Sequence, residues 1–265
     1  MLTWNPQLYR RYEEERTRPA AELLARVPLA TARQVVDLGC GPGNSTELLV
    51  QRFPQAQVTG IDNSSSMLES AAQRLPRVRF ELADIASWEA APDRPDLIYA
   101  NAALQWVPDH ERLLPRLLSA LAPQGVLAIQ MPDSAEEPTN RLMRELAARD
   151  PWRGTIGDAS RARTRLLRIE DYYDLLATES ARVEVWHTIY QHPMASAAAI
   201  VEWVRATGLR PFVDPLPEPL RISFLAEYER GIDAAYRPRT DGQRLLAFPR
   251  LFIVAQARPL PTSTP

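Results

Sequence analysis

An acid and three alternating glycines, Asp37-Leu38-Gly39-Cys40-Gly41-Pro42-Gly43, stand directly after the apolar pair Val35-Val36 and directly before Asn44-Ser45-Thr46. An apolar strand that breaks into a glycine turn and then a helix is the sequence form of a nucleotide-type cofactor site, where missing side chains let the backbone approach a ligand. A dinucleotide turn runs Gly-x-Gly-x-x-Gly; the spacing here is acid-x-Gly-x-Gly-x-Gly, and Pro42 stiffens it. A second carboxylate, Asp62, ends the next apolar run, Val58-Thr59-Gly60-Ile61. It lies about 20 residues beyond the turn, the spacing of an acid that accepts ribose hydroxyls. Read from the residues alone, an NAD site and a plain tight turn are the alternatives.

Other chemistries lack their residues. All 31 basic residues are arginine, which excludes lysine Schiff bases and a Gly-Lys phosphate loop. Base composition of the source genome accounts for this in the plainest way, although an all-arginine set also suits bidentate recognition of carboxylates. The three histidines, His110, His187 and His192, have no metal-ligand spacing, so no metal is expected. Cys40 has no paired histidine in the sequence and reads as a small turn residue.

The elements that must position the turn follow from the apolar pattern. Strands are expected at 34–38, 57–62, 78–82, 97–100 and 126–131, with helices at 45–52, 65–74 and 109–121 between them. Apolar strands alternating with helices build a parallel sheet covered on both faces, and right-handed crossovers make it doubly wound. A sixth strand at 182–190 and a last one at 250–257 bring the sheet to seven. The expected organisation is a helical leader at 1–30, restarted by Pro19, and a cofactor core at 31–135. A helical connection at 136–181 follows, then the C-terminal part of the sheet at 182–257, with a helical lid inserted at about 194–245, and a tail at 258–265.

The chain has 265 residues, 45% hydrophobic and 24% charged, with a formal net charge of -2. These are ordinary globular values without a basic field for a phosphate backbone, so nucleic acid is disfavoured as a partner. With one cysteine, no signal-peptide pattern and no apolar run near 18 residues, the expectation is a cytoplasmic protein without a membrane partner. Nothing in the pattern specifies an oligomeric state.

The stretch Asp37 to Thr46 resembles the first motif of class I methyltransferases that use S-adenosyl-L-methionine, which implies a Rossmann-like methyltransferase sheet. The resemblance implies cofactor contacts from Asp37, Gly39, Cys40, Gly41, Gly43, Asn44, Asp62, Asn63 and Met67, although Met67 is most simply packing on the sheet. Asp84 and Ile85 would face the adenine, and Asn101, just past the fourth strand, would be a further cofactor contact. Leu104-Gln105-Trp106 looks like enzymes that methylate carboxylates. Trp4-Asn5-Pro6, Glu15 to Pro19, Asn101 to Trp106 with Pro108-Asp109-His110, Tyr172-Tyr173, Ala206 to Pro211 and Phe248 to Val254 are similar to the bacterial trans-aconitate 2-methyltransferase family. No such pattern is placed on 151–168.

That resemblance implies in-line methyl transfer to a small polycarboxylate. A carboxylate has a free pKa near 4, so it is already the nucleophile at neutral pH and no general base is required. Positioning would fall to Gln105, Trp106 and His110. Substrate candidates are Tyr9, Arg16, Arg18, Tyr172, Trp203, Arg210 and Arg250, since a buried polyanion needs hydrogen-bonded cations. The alternatives are surface ion pairing of Arg16 and Arg18 with Glu13 to Glu15, a core or hinge role for Trp203, and a structural pair for Arg250. Two other readings stay open: a malonyl-carrier-protein or other small-acid methyltransferase, and a non-catalytic S-adenosyl-L-methionine-binding protein.

Overall fold

The computed structural model describes residues 13–157, 166–205 and 208–259, with side chains from residue 17 onward. Helix α1 (Glu13–Ala25) leads into β1 (Gln34–Leu38), α2 (Asn44–Arg52), β2 (Gln57–Asp62), α3 (Ser65–Arg74) and β3 (Arg79–Leu82). Strand β4 (Leu97–Asn101) follows, then the short 3₁₀ turn Leu104–Trp106, α4 (His110–Ser119) and β5 (Val126–Pro132). The remainder is α5 (Pro138–Ala147), α6 (Arg153–Ile156), α7 (Ile169–Ala177), β6 (Ser180–Met194), α8 (Ala197–Arg205), α9 (Arg210–Val213), α10 (Glu218–Ala235) and β7 (Arg244–Ala257).

The seven strands form one sheet in the order β3-β2-β1-β4-β5-β7-β6, and the pairs from β3 through β5 are parallel. The architecture is thus α/β, doubly wound and mostly parallel. Leu97 to Ala100 and Val126 to Met131 are all buried, as central strands covered on both faces require. In α4, Leu113, Leu114, Leu117 and Leu118 make one apolar stripe in the core with Ile98, Ile129 and Tyr172. Strand order reverses at β1, which pairs with β2 on one side and β4 on the other. In such sheets a ligand crevice opens beyond the carboxyl ends of the strands at the reversal.

The chain divides into two compact units. The first is drawn from 1–132, 165–187 and 251–265, and the second from 133–164 and 188–250. In the second, Trp152 meets Phe224 edge-on at 5.4 Å, and Tyr228 Oη donates to the Thr139 carbonyl at 3.0 Å.

Three expectations differ from what is observed. Pro19 does not restart the leader but lies inside α1, where it forgoes one backbone bond while Ala20, Leu23 and Leu24 are buried beside it. That burial, with Tyr99 Oη donating to the Ala20 carbonyl at 2.5 Å, holds the helix through the proline. Strands β6 and β7 begin earlier than alternation indicated, at Ser180 and Arg244, and β6 runs on to Met194, where Tyr190 and Met194 are buried on one face while His192 and Pro193 break the apolar pattern in the sequence. Helix α4 starts at His110, preceded by Asp109 at φ 59.

Candidate functional site

The glycine turn is fixed from both sides. Asp37 is fully buried in β1, and its Oδ2 accepts hydrogen bonds from Ser45 Oγ at 2.8 Å and Thr46 Oγ1 at 2.7 Å, both in the first turn of α2. The carboxylate therefore ties the strand before the turn to the helix after it. Within the turn Gly39, Gly41 and Gly43 have φ of 72, 53 and 92, the left-handed region that favours glycine. A Cβ on Gly39 would come within 2.3 Å of Ala103 Cβ, whereas a Cβ on Gly41 would meet nothing within 4 Å. So Gly39 is required by the close approach of the segment after β4, and Gly41 faces open space.

Asp62, at the end of β2, accepts from the Gly41 N–H through Oδ2 and the Ser64 N–H through Oδ1, both at 2.9 Å. A carboxylate offers about four lone-pair positions, so capacity for a diol remains. Burial raises the pKa of Asp62, against the lowering effect of its backbone donors at Gly41, Ser64 and Asn63. Asp37 is pushed up to about 6, first by burial and further by the charge of Asp62, while Thr46 and Ser45 oppose the rise. Burial and these two carboxylates also push the Cys40 thiol up, so Cys40 is an inert buried group.

The exit of β4 supplies the other side. Ala102 has φ 54, a strained value for a residue with a Cβ, and its N–H donates to the Gln130 carbonyl at 2.8 Å. Its own carbonyl accepts from Gln105 Nε2 at 2.6 Å, which orients the Gln105 amide with its oxygen turned away. Asp37 Oδ1, Asn101 Oδ1 and Gln105 Oε1 are buried without a hydrogen-bond partner among the described residues. Each such atom costs about 1–3 kcal/mol unless a ligand satisfies it. Acceptor oxygens with one buried carboxylate among them suit a cationic or N–H-bearing ligand.

The remaining cofactor candidates lie in the same unit. Asn44 begins α2, Met67 is buried on α3, and Asn63 is exposed beside Asp62. Asp84 is exposed and accepts from the Ala86 N–H at 2.9 Å, and Ile85 Cδ1 would lie 3.6 Å from a Cβ at Gly39.

Among the substrate and positioning candidates, His110 and Tyr172 are brought together. His110 Nδ1 lies 2.6 Å from Tyr172 Oη, and His110 Nε2 lies 2.9 Å from the Leu104 carbonyl. Trp106, in the same 3₁₀ turn as Gln105, is exposed. Arg18 is exposed on α1 and pairs with Glu22 at 2.8 Å, one helical turn on. In the second unit Arg210 pairs with Asp214 at 3.3 Å. There too Trp203 is buried 5.0 Å from the His192 ring, and the buried Arg250 guanidinium lies 4.5 Å over Phe248. Tyr9 and the side chain of Arg16 lie outside the described residues. Sequence reasoning missed Ser45 and Thr46; the available signal was a pair of hydroxyls at the start of a helix, eight and nine residues after a buried acid.

A family model described as a methyltransferase domain matches residues 35–125, from β1 to the residue before β5. The trans-aconitate 2-methyltransferase of Variovorax paradoxus is 71% identical over 97% of this chain and 100% of its own length. That of Paracidovorax citrulli is 70% identical over 97% of this chain and 99% of its own. The chain belongs to the trans-aconitate 2-methyltransferase family. Among solved structures the YcgJ protein of Bacillus subtilis shares the fold, with a TM-score of 0.58 at 17% identity over 91% of this chain and 99% of that one. The methyltransferase family to which the chain belongs uses S-adenosyl-L-methionine. The residues present fit that cofactor: the partnerless acceptors Asp37 Oδ1 and Asn101 Oδ1 match its cationic part, and Asp62 matches its ribose. No helix among the described residues is long and apolar enough to cross a membrane.

Proposed function

We propose that this chain methylates one carboxylate of trans-aconitate, the 2-position carboxyl, forming a monomethyl ester and S-adenosylhomocysteine. The observation that carries this reading is the acceptor-lined strand-end site around Asp37 and Gln105, in a chain 71% identical to a protein of that name. When bound, the cofactor supplies a methyl group activated by a sulfonium.

The chain's own residues bind and orient. Asp37 and Asn101 offer oxygens to the cationic end of the cofactor, the backbone at Gly39, Cys40, Gly41 and Gly43 permits its approach, and Asp62 takes the ribose hydroxyls. Asn44, Asn63 and Met67 border this part, while Asp84 and Ile85 border the adenine. No side chain has to remove a proton, because the acceptor is ionised at neutral pH. In keeping with this, both ring nitrogens of His110 are already hydrogen-bonded. Gln105 and Trp106 border the acceptor. Tyr9, Arg16, Arg18, Tyr172, Trp203, Arg210 and Arg250 are the candidates for gripping a trianion. Arg250 carries the most weight among them, because it is 5% exposed whereas the Arg18 side chain is 69% exposed.

Steady-state turnover with trans-aconitate, cis-aconitate and isocitrate at saturating cofactor tests this. The highest kcat/KM is expected with trans-aconitate; turnover of another acid in its place, or of none, overturns the assignment.

A further inference from the structure

Tyr172 and His110 are 62 residues apart in sequence, yet both are buried and hydrogen-bonded to each other in the core beneath the 3₁₀ turn Leu104–Trp106. The roles along this chain of bonds are fixed by what each atom can do. A backbone carbonyl only accepts, so His110 Nε2 carries the proton donated to Leu104. In the neutral ring Nδ1 is then the acceptor, and Tyr172 Oη donates to it. Tyr172 Oη in turn accepts from the Leu167 N–H at 3.3 Å. Protons thus point one way along the whole series, from Leu167 just before α7 to the carbonyl of Leu104.

That carbonyl has a second donor, the Val107 N–H at 2.9 Å, so both of its lone pairs are taken. The turn it closes carries Gln105, whose Nε2 reaches back to the strained Ala102, and the exposed Trp106. A side chain that grips this carbonyl therefore sets where Gln105 Oε1 and the Trp106 indole stand.

We infer that Tyr172 and His110 are positioning residues for the methyl acceptor, acting through the Leu104 carbonyl to hold the Gln105–Trp106 turn. This rests on the reading that the turn borders the acceptor. It differs from a direct substrate contact by Tyr172, whose hydroxyl is turned to His110 and Leu167. It also differs from a general-base role for His110, whose Nε2–H is held by a carbonyl.

Three variants of the full chain separate these roles. In His110→Gln the amide N–H can still reach where Nε2 stood; in His110→Asn it reaches only where Nδ1 stood; Tyr172→Phe removes the donor to the ring. His110→Asn and Tyr172→Phe are expected to lower kcat/KM for trans-aconitate about tenfold or more, as a displaced positioning group does. Cofactor affinity by calorimetry should stay within about threefold of the parent, less than 1 kcal/mol. His110→Gln is expected to recover most of the acceptor kinetics. The inference is overturned if all three keep acceptor kinetics within threefold of the parent. It is equally overturned if acceptor kinetics and cofactor affinity fall together in step with Tm, the mark of a plain core pair. Nitrogen NMR of histidine-labelled parent, assigned with His110→Gln, tests it without turnover. An Nε2-protonated neutral His110 ring supports it, and an Nδ1-protonated or averaging ring overturns it. That measurement stands even if no tested acid is methylated, in which case the proposed function fails and the tautomer still decides the relay.

Discussion

Asp37 couples stability to function, and Asp37→Asn exposes the coupling. In the folded chain its pKa is raised from 3.8 to about 6, chiefly by burial. A carboxyl whose folded pKa lies above its unfolded value stabilises the fold fully only below the unfolded value, and that contribution is lost as pH rises through the folded pKa. The shift corresponds to about 3 kcal/mol, of which about 2 kcal/mol is lost between roughly pH 4 and pH 7. Asparagine does not titrate, and its amide oxygen can still accept from Ser45 and Thr46. The unfolding free energy of the variant minus that of the parent should therefore grow by about 2 kcal/mol from pH 4 to pH 7, whatever the difference at pH 4. Urea unfolding at the two pH values reads this directly. Calorimetry on the same samples should show cofactor affinity falling about tenfold or more at pH 7, because an anion facing a cation has been removed. A pH-independent stability difference, or unchanged cofactor affinity, would refute the argument that Asp37 is held at a cost for its charge.

Asp62→Ala should weaken cofactor binding about tenfold or more by calorimetry, since hydrogen bonds to a charged group are lost. Gly39→Ala should lose cofactor binding and lower Tm, with a Cβ 2.3 Å from Ala103 and a left-handed φ of 72. Arg250→Gln should raise KM for trans-aconitate by about 2 kcal/mol or more if it pairs with a substrate carboxylate, while Arg18→Gln, with an exposed side chain already paired to Glu22, should stay within about 1 kcal/mol of the parent. Turnover should be flat from about pH 7 to 9 and fall below about pH 6 as Asp37 protonates, with no inflection that vanishes on replacing a histidine.

Contiguous features were legible in the sequence. The strand, glycine turn and helix around Asp37 follow from residues next to one another, and Asp62 from the regular length of one strand–helix–strand unit. What escaped depends on partners brought together from afar or on packing that overrides a local rule. The His110–Tyr172 pair joins α4 to α7 across 62 residues, and no spacing rule reaches that far. Pro19 reads as a break because proline costs a helix about 3 kcal/mol. Burial of Ala20 and Leu23 outweighs it. Glu22, one turn ahead of Arg18, is a partner that the reading of the acids before it did not include. The partnerless oxygens of Asn101 and Gln105 are invisible to sequence, since they follow from the orientation of a strand end and a single 3₁₀ turn.

The most direct measurement supplies the purified chain with trans-aconitate and S-adenosyl-L-methionine carrying an isotopically labelled methyl group, and reads the product by carbon NMR. One labelled methyl ester signal per turnover, coupled to the 2-position carboxyl, absent with Asp62→Ala at low cofactor and recovered at high cofactor, is the expected result. Label on carbon or on a carboxyl other than the 2-position one, or no transfer to trans-aconitate at saturating cofactor, would contradict 2-carboxyl methylation at this site.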